Sequence, residues 1–320
     1  MSSKIYNNEL TWLSDLKRLI LEELPPHSNG LFQAANHHFK KPGKFYRAQL
    51  AIKAGQALGL NKSAVLNWAA ACEMIHNASL VHDDISDAST HRRGQNSVTN
   101  HFGQDTAICL GDWLVAKAFE LAADNPTCGG QLVSMLSQAM QVTCDGQVAD
   151  LTVGECLTLQ EWKMIAADKT VPFLLAPIKG MAVMSGLEDD IPALTDLVLL
   201  TGLAYQGRND IDDIIPSSHT SVDLLGRKPN LVVSLFHKHS PRQKDFASWY
   251  FSGDTTKINN WQRTIASSDV VLQANIFVED WLDQADELRS NLSAELQPAC
   301  MALIEKVRGN MSLASDANTA

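Results

Sequence analysis

The chain of 320 residues is 45% hydrophobic and 19% charged, the balance of a folded chain with a large core and not of a disordered acidic one. Its net charge of −10 argues against general nucleic-acid binding, which needs a basic face. No apolar run reaches the roughly 18 residues of a membrane span, because Lys62, Glu73, Asp83, Lys169, Lys179 and Asp196 interrupt the candidates.

In chain order, the first segment, MSSKIYNNELTWLSDLKRLILEEL, reads as an amphipathic helix and not as a signal peptide. Its stripe runs over Trp12, Leu13, Leu16, Leu19, Ile20 and Leu24 and stops at Pro25-Pro26. After a polar loop, helical periodicity covers residues 47–58, 63–86, 106–124, 130–151, 159–184, 191–213, 230–237, 246–261 and 270–308. Kinks are expected at Pro172 and Pro177. Alternating strand patterns are nearly absent, so the spacing predicts an all-α, single-domain helical bundle over residues 1–311 around a central cavity, with a disordered tail at 312–320. The cysteines at 72, 109, 128, 144, 156 and 300 form no CxxC pair, which suits reduced thiols in a cytoplasm better than disulfides or zinc.

Asp83 and Asp87 are four apart, on one helical face, with Asp84 at their flank. A salt-bridged surface helix accounts for that spacing until the preceding residues are read. Ala69, Ala70, Cys72, Met74, Ile75, Ala78, Leu80 and Val81 are apolar nearly all round, so the acids end a buried helix and need a metal or cationic partners. In YQGRNDIDD, Asn209 and Asp213 repeat the four-residue spacing after another apolar run. The two ends together suggest facing walls of a magnesium site, against the alternative of an acidic cluster in solvent. Lys44, Arg47, Arg92, Arg93, Lys169 and Lys228 fall near helix ends or loops, where cations suit a ligand with several phosphate groups.

From Gly43 to Lys228 the chain resembles the trans-isoprenyl diphosphate (polyprenyl) synthases. The landmarks occur in order: Gly43, Lys44 and Arg47; His76; Asp83, Asp84, Asp87, Arg92, Arg93 and Gly94; Phe102 and Gly103; Gly111 and Asp112; Gly146, Gln147 and Asp150; Lys169 and Thr170; Gln206, Asp210 and Asp213. The resemblance implies Mg2+-dependent, head-to-tail condensation of an allylic diphosphate with isopentenyl diphosphate, releasing diphosphate, in a homodimer. By similarity, Lys44, Arg47, His76 and Arg93 would hold isopentenyl diphosphate, and Arg92, Lys169 and Lys228 the allylic diphosphate. Asp83, Asp87 and the Asn209 and Asp213 group would carry three magnesium ions, with Asp84 and Asp210 behind the direct ligands. Thr170, Gln206 and Lys169 would serve catalysis, the first two by turning oxygen dipoles toward the allylic cation.

The chain departs from the family at Asn209, where an Asp is usual, with Arg208 adding a cation beside it. The loop 214–228 is short and lacks a first glycine-lysine pair, and Phe45 and Ala48 stand where Arg and Pro are usual. Asn209, Asp213 and Ser217 loosely resemble the metal triad of class I terpene cyclases. The Asn-Asp motif and short loop also resemble prenyltransferases that modify a tryptophan in bacterial competence pheromones. A noncatalytic partner subunit is disfavoured by the intact first motif. Ala78 and Ser79 leave the chain channel open before Asp83, which implies a product longer than farnesyl, geranylgeranyl or beyond, with Ile75, Met74 or Trp68 as deeper floors.

Overall fold

The computed structural model describes residues 2–41, 43–152, 157–215 and 220–309. Cys156, Pro216, Ser217 and the tail at 312–320 lie outside them. The helices are α1 (Ser2–Glu22), α2 (Phe32–Lys40), α3 (Tyr46–Ala57), α4 (Lys62–Ser86), α5 (Val98–Phe102), α6 (Gln104–Ala123), α7 (Gly129–Thr152), α8 (Leu159–Ser185), α9 (Ile191–Ile214), α10 (Val222–Gly226), α11 (Leu231–His239), α12 (Gln243–Ser252), α13 (Ile258–Ala266), α14 (Val270–Arg289) and α15 (Gln297–Arg308). The fold is all-α, as the periodicity requires. The one sheet among the described residues is a two-stranded hairpin, β1 (His91–Arg92) and β2 (Gln95–Asn96), in which Arg92 pairs with Gln95.

The helices that position the site are the long apolar ones. Asn61 starts α4 by accepting from the amides of Ser63 and Ala64, and Thr158 starts α8 in a reciprocal capping box with Glu161. Beyond its cap, α4 is buried on every side from Trp68 to Ile75. It packs chiefly against α6 and also meets α3 and α8; α7 lies along α8, and α9 along α14. At Gly146 of α7 an added Cβ would stand 2.6 Å from the Lys169 backbone nitrogen. The absence of a side chain there lets α7 and α8 meet backbone to backbone, which brings Asp150, one turn further on, to Lys169.

Several boundaries differ from the periodicity. The stripe at 246–261 is two helices, α12 and α13, separated by Gly253 at φ +68°. The stripe at 270–308 is also two, α14 and α15, with Pro298 at the start of the second. The helix α8 continues through Pro172 and Pro177. Three short helices fall outside the segments read from the periodicity: α2, α5 and α10.

The helix α2 buries Ala34, Ala35 and Phe39 in the core and is held as well by a buried polar chain. His38, 3% exposed, donates from Nε2 to Asn77 Oδ1 at 3.0 Å, and Asn77 donates from Nδ2 to the Glu73 carbonyl at 2.7 Å. The second bond fixes the Asn77 oxygen as the acceptor for His38. Burial, aided by the nearby charge of Arg93 and opposed by the Asn77 bond, pushes the His38 pKa down to about 3. A lowered histidine pKa makes the folded state bind fewer protons. Its contribution is therefore complete above pH about 6.5 and falls by about tenfold in the folding constant per pH unit toward pH about 3. The acid limb of the stability curve should flatten in His38→Gln, as read by chemical denaturation between pH 4 and 7; an unchanged limb would show that His38 does not carry it.

Candidate active site

Lys44, Arg47, His76, Arg92 and Arg93 converge on one cavity of about 220 Å³, shared with Glu73, Tyr205, Leu174 and Lys306. The residues come from the segment before α3 and its first turn, from α4, from the hairpin, from α8 and α9, and from α15. Glu73 of α4 accepts from the Ala48 amide at 2.9 Å, so it caps α3, whose N-cap residue Phe45 supplies no side-chain oxygen. The departure from proline at Ala48 provides the amide for this bond. Arg47 faces the cavity with Nε buried and without a hydrogen-bond partner among the described residues. Burial lowers its pKa, with the charge of Glu73 opposing. His76 is held well below the usual histidine range by burial and by the charges of Arg47, Arg93 and Arg92.

Arg93 and Gly94, at φ +53° and +66°, form the two central positions of the hairpin turn, the pattern of a primed turn. The turn lays the Arg93 side chain over Gly43, where an added Cβ would stand 2.9 Å from the guanidinium carbon. Arg93 also donates to the Lys41 carbonyl at 3.1 Å. Arg92, next to it, leaves the cavity wall to fork Asp84 Oδ1 from Nε at 3.0 Å and from Nη2 at 2.6 Å. Asp84 is fully buried. It faces Arg92, and its second oxygen has no partner among the described residues.

Asp83 and Asp87 face the other side of the α4 terminus. Burial raises the Asp83 pKa; Lys169 works against that, and Asp87 adds to it. Lys228 reaches Asp87 at 2.8 Å, and Lys169 reaches Asp150 at 2.7 Å. Burial works against the Lys169 charge, but Asp150, Asp83 and Asp87 together raise its pKa. Two carboxylates one turn apart, Asp83 desolvated and Asp87 more open, form an oxygen-only donor set that lysines approach from the facing elements. That set fits magnesium. Among the described residues no group of three or more His, Cys, Asp or Glu side chains is placed to hold a metal ion by itself.

The second motif is arranged differently from the first. Asp210, 1% exposed, accepts from Trp162 Nε1 at 2.8 Å, Gln206 Nε2 at 2.8 Å and the Leu231 amide at 2.7 Å. Asp213 accepts from the Ser221 hydroxyl and from the Val222 amide at 2.9 Å. Both carboxylates therefore hold the returning chain, one at the start of α11 and the other at the start of α10. Asn209 is half-buried on the same helix. Arg208 does not add a cation beside it: the guanidinium turns outward to Glu279 of α14. Thr170 of α8 faces Gly202 of α9, one turn before Gln206.

Four non-glycine residues among those described have positive φ: Phe45, Ala88, Arg93 and Arg227. Each adjoins, or is, a residue singled out for ligand binding: Lys44, Asp87, Arg92 with Arg93, and Lys228. A side-chain-bearing residue there costs about 1 kcal/mol. Such strain gathers where a binding geometry is preset.

The sequence reading missed Lys306 and Asp223. Lys306 reaches the cavity from α15, and no local pattern marks it. Asp223 accepts from Asn230 Nδ2 at 2.9 Å. Burial, with the charge of Asp213, pushes it up to about 7. Its place five residues before Lys228 was the available signal.

Residues 28–266 match the family model described as polyprenyl synthetase. A geranylgeranyl diphosphate synthase from Methanosarcina mazei is 30% identical over 232 residues, 68% of this chain and 72% of that protein. A geranylgeranyl pyrophosphate synthase from Geoglobus acetivorans is 29% identical over 249 residues, 74% of this chain and 77% of that one. Among solved structures, a decaprenyl diphosphate synthase from Rhodobacter capsulatus superposes with a TM-score of 0.85 at 22% identity, covering 96% of this chain and 100% of that one. That last likeness speaks for the helical bundle alone, whereas the family model and the curated relatives speak for kinship. A basic cavity and an acidic helix end joined through Arg92 and Asp84 are accordingly the property of a prenyltransferase, and the chain belongs to the polyprenyl synthetase family.

Proposed function

We propose that the enzyme condenses an allylic diphosphate with isopentenyl diphosphate head-to-tail, with release of diphosphate. The observation that carries this reading is the basic cavity beside, and separate from, the Asp83 and Asp87 face: two anionic substrates have two places. Lys44, Arg47, His76 and Arg93 hold the acceptor diphosphate. Lys169 and Lys228 exchange their carboxylate partners for the allylic diphosphate, with Arg92 between the two sites. Magnesium at Asp83 and Asp87, three ions by family resemblance, supplies neutralisation of charge growing on the leaving oxygens. The cations in place do the same without reorganising at the moment of reaction.

The walls keep water from the allylic cation: Leu80 and Leu174 line the cavity, and Val81 and Ala78 are fully buried. Gln206 is oriented by its donation to Asp210, which leaves its oxygen for the cation, with the Thr170 oxygen on the facing helix. Asp213 and Asn209 complete the second wall, Asp213 chiefly by fixing the chain that carries Lys228.

The product runs down α4 past Ser79 and Ala78. By helix rise, Ile75 stands about 12 Å and Trp68 about 22 Å beyond Asp83, the spans that a chain of geranylgeranyl length or longer would follow if these side chains form its floor. The relatives are named for products of different length, and kinship alone leaves the length open. The protein acts as a homodimer, a reading supported by Ile108 of α6 and Val142 and Val148 of α7, which stand 39% to 60% exposed. It works in the cytoplasm, a reading supported by free thiols at Cys72, Cys109, Cys128, Cys144 and Cys300. No described helix is long and apolar enough to cross a membrane.

Purified protein with magnesium, labelled isopentenyl diphosphate and allylic primers of graded length tests the reading. Elongated prenyl diphosphates are expected, shortened by Ala78→Phe. Cyclic hydrocarbon formed from an allylic primer alone, or prenylation of a supplied tryptophan peptide by the primer with no incorporation of isopentenyl label, would replace the reading, and an unchanged product from Ala78→Phe would move the channel floor elsewhere.

A further inference from the structure

We infer that Arg227 is a positioning residue for Lys228, a clasp that aims the lysine ammonium across the site at Asp87. The inference rests on the reading of Lys228 as a ligand of the allylic diphosphate and adds the residue that holds it in place.

Arg227 follows α10 in the left-handed conformation, at φ +55° and ψ +36°. A helix usually leaves that position to glycine. Here Gly226 lies one residue too early, inside the helix, and the strained position falls on a long cation. Conformational ease does not explain the arginine, but its contacts do. Nε donates to the Tyr250 carbonyl at 3.0 Å, Nη2 to the Asp254 carbonyl at 3.1 Å, and Nη1 to the Leu224 carbonyl. The guanidinium lies 4.4 Å from the Trp249 ring centre and 5.0 Å from that of Tyr250. It thereby joins the end of α10 to the end of α12 and the turn leading to α13.

All three guanidinium nitrogens donate to carbonyls, so the group is committed to the fold and does not serve a diphosphate. The effect passes to the next residue. The Lys228 amide donates to the Asp223 carbonyl at 2.9 Å, and its side chain crosses to Asp87 at 2.8 Å. Adjacent residues thus point to opposite sides of one short segment, Arg227 into the aromatic cluster and Lys228 into the site. Fixing the first fixes where the second emerges. A glycine at 227 would relieve the strain but would lose the three guanidinium bonds that anchor the segment.

Arg227→Gly separates the two possibilities, because glycine accepts the backbone conformation without strain and removes the clasp. The expected result is a rise of about tenfold in KM for the allylic diphosphate, approaching that of Lys228→Ala, with KM for isopentenyl diphosphate unchanged. Added to Arg227→Gly, Lys228→Ala should have much less effect than alone. Arg227→Lys, which keeps a cation over the rings with fewer hydrogen bonds, should give an intermediate KM, and it decides the matter if the glycine variant melts below the assay temperature. An unchanged allylic KM in Arg227→Gly, with Lys228→Ala impaired, would overturn the inference alone. So would a loss in kcat with both KM values rising together, the mark of a general structural role. If Lys228→Ala itself leaves the allylic KM unchanged, the underlying reading of Lys228 fails and the inference with it.

Discussion

Replacing Asp83 by asparagine should lower turnover by about a hundredfold to a thousandfold while the magnesium-free protein melts no lower than the parent. The two halves have one cause. Asp83 is desolvated beside Asp87, and its pKa is raised. A raised carboxyl pKa means that the folded state holds the proton better than the unfolded one, so at neutral pH ionisation works against folding. Removing the charge relieves that cost but removes the group that attracts magnesium. Turnover at saturating magnesium and scanning calorimetry without it measure the two effects. A variant that melts several degrees lower would show that Asp83 is structural and that the face is misread. Asp84→Asn should behave differently, because it strips Arg92 of its partner within the fold.

Arg47→Lys should raise KM for isopentenyl diphosphate by tenfold to a hundredfold and leave KM for the allylic diphosphate within about twofold. The Arg47 Nε is buried and unpartnered among the described residues, which is costly unless a ligand oxygen completes it. A lysine reaches the same cavity with a point charge and cannot make the forked contact. Arg47→Ala is the poorer test. It removes the buried bulk of the side chain along with one of the two arginine charges, Arg47 and Arg93, that act on buried Glu73, so lost activity could not be separated from lost packing. Initial rates with each diphosphate varied in turn decide the point, and equal changes in both KM values would place Arg47 between the sites and not in the acceptor cavity.

The first aspartate motif was legible because helical spacing alone determines which of its residues share a face: Asp83 and Asp87 stand together and Asp84 apart. The basic residues were legible as a set, since Lys44, Arg47, His76 and Arg93 do meet in one cavity. The second motif was legible only as far as the helix that carries it. Asp210 and Asp213 bind the chain that returns at Leu231 and Val222, and no wheel drawn on α9 shows where a later segment will come back. Arg208 illustrates the same limit, since its direction is set by Glu279 on α14. Lys306 enters from the far end of the sequence, where a lone lysine looks like any surface cation. The helix α2 escaped notice because it is only nine residues long and its buried face, Ala34, Ala35, His38 and Phe39, holds one large apolar side chain.

The positive-φ residues have a consequence for directed evolution. Glycine at positions 45, 88, 93 or 227 would ease the backbone, and a library screened for heat tolerance alone would tend to collect such changes. At position 93 the winning clone would have discarded a guanidinium from the cavity, and at 227 it would have loosened the lysine beside it. Selection for survival on heating would thus erode the contacts that grip the substrates, and a screen on this scaffold has to score product at the same time.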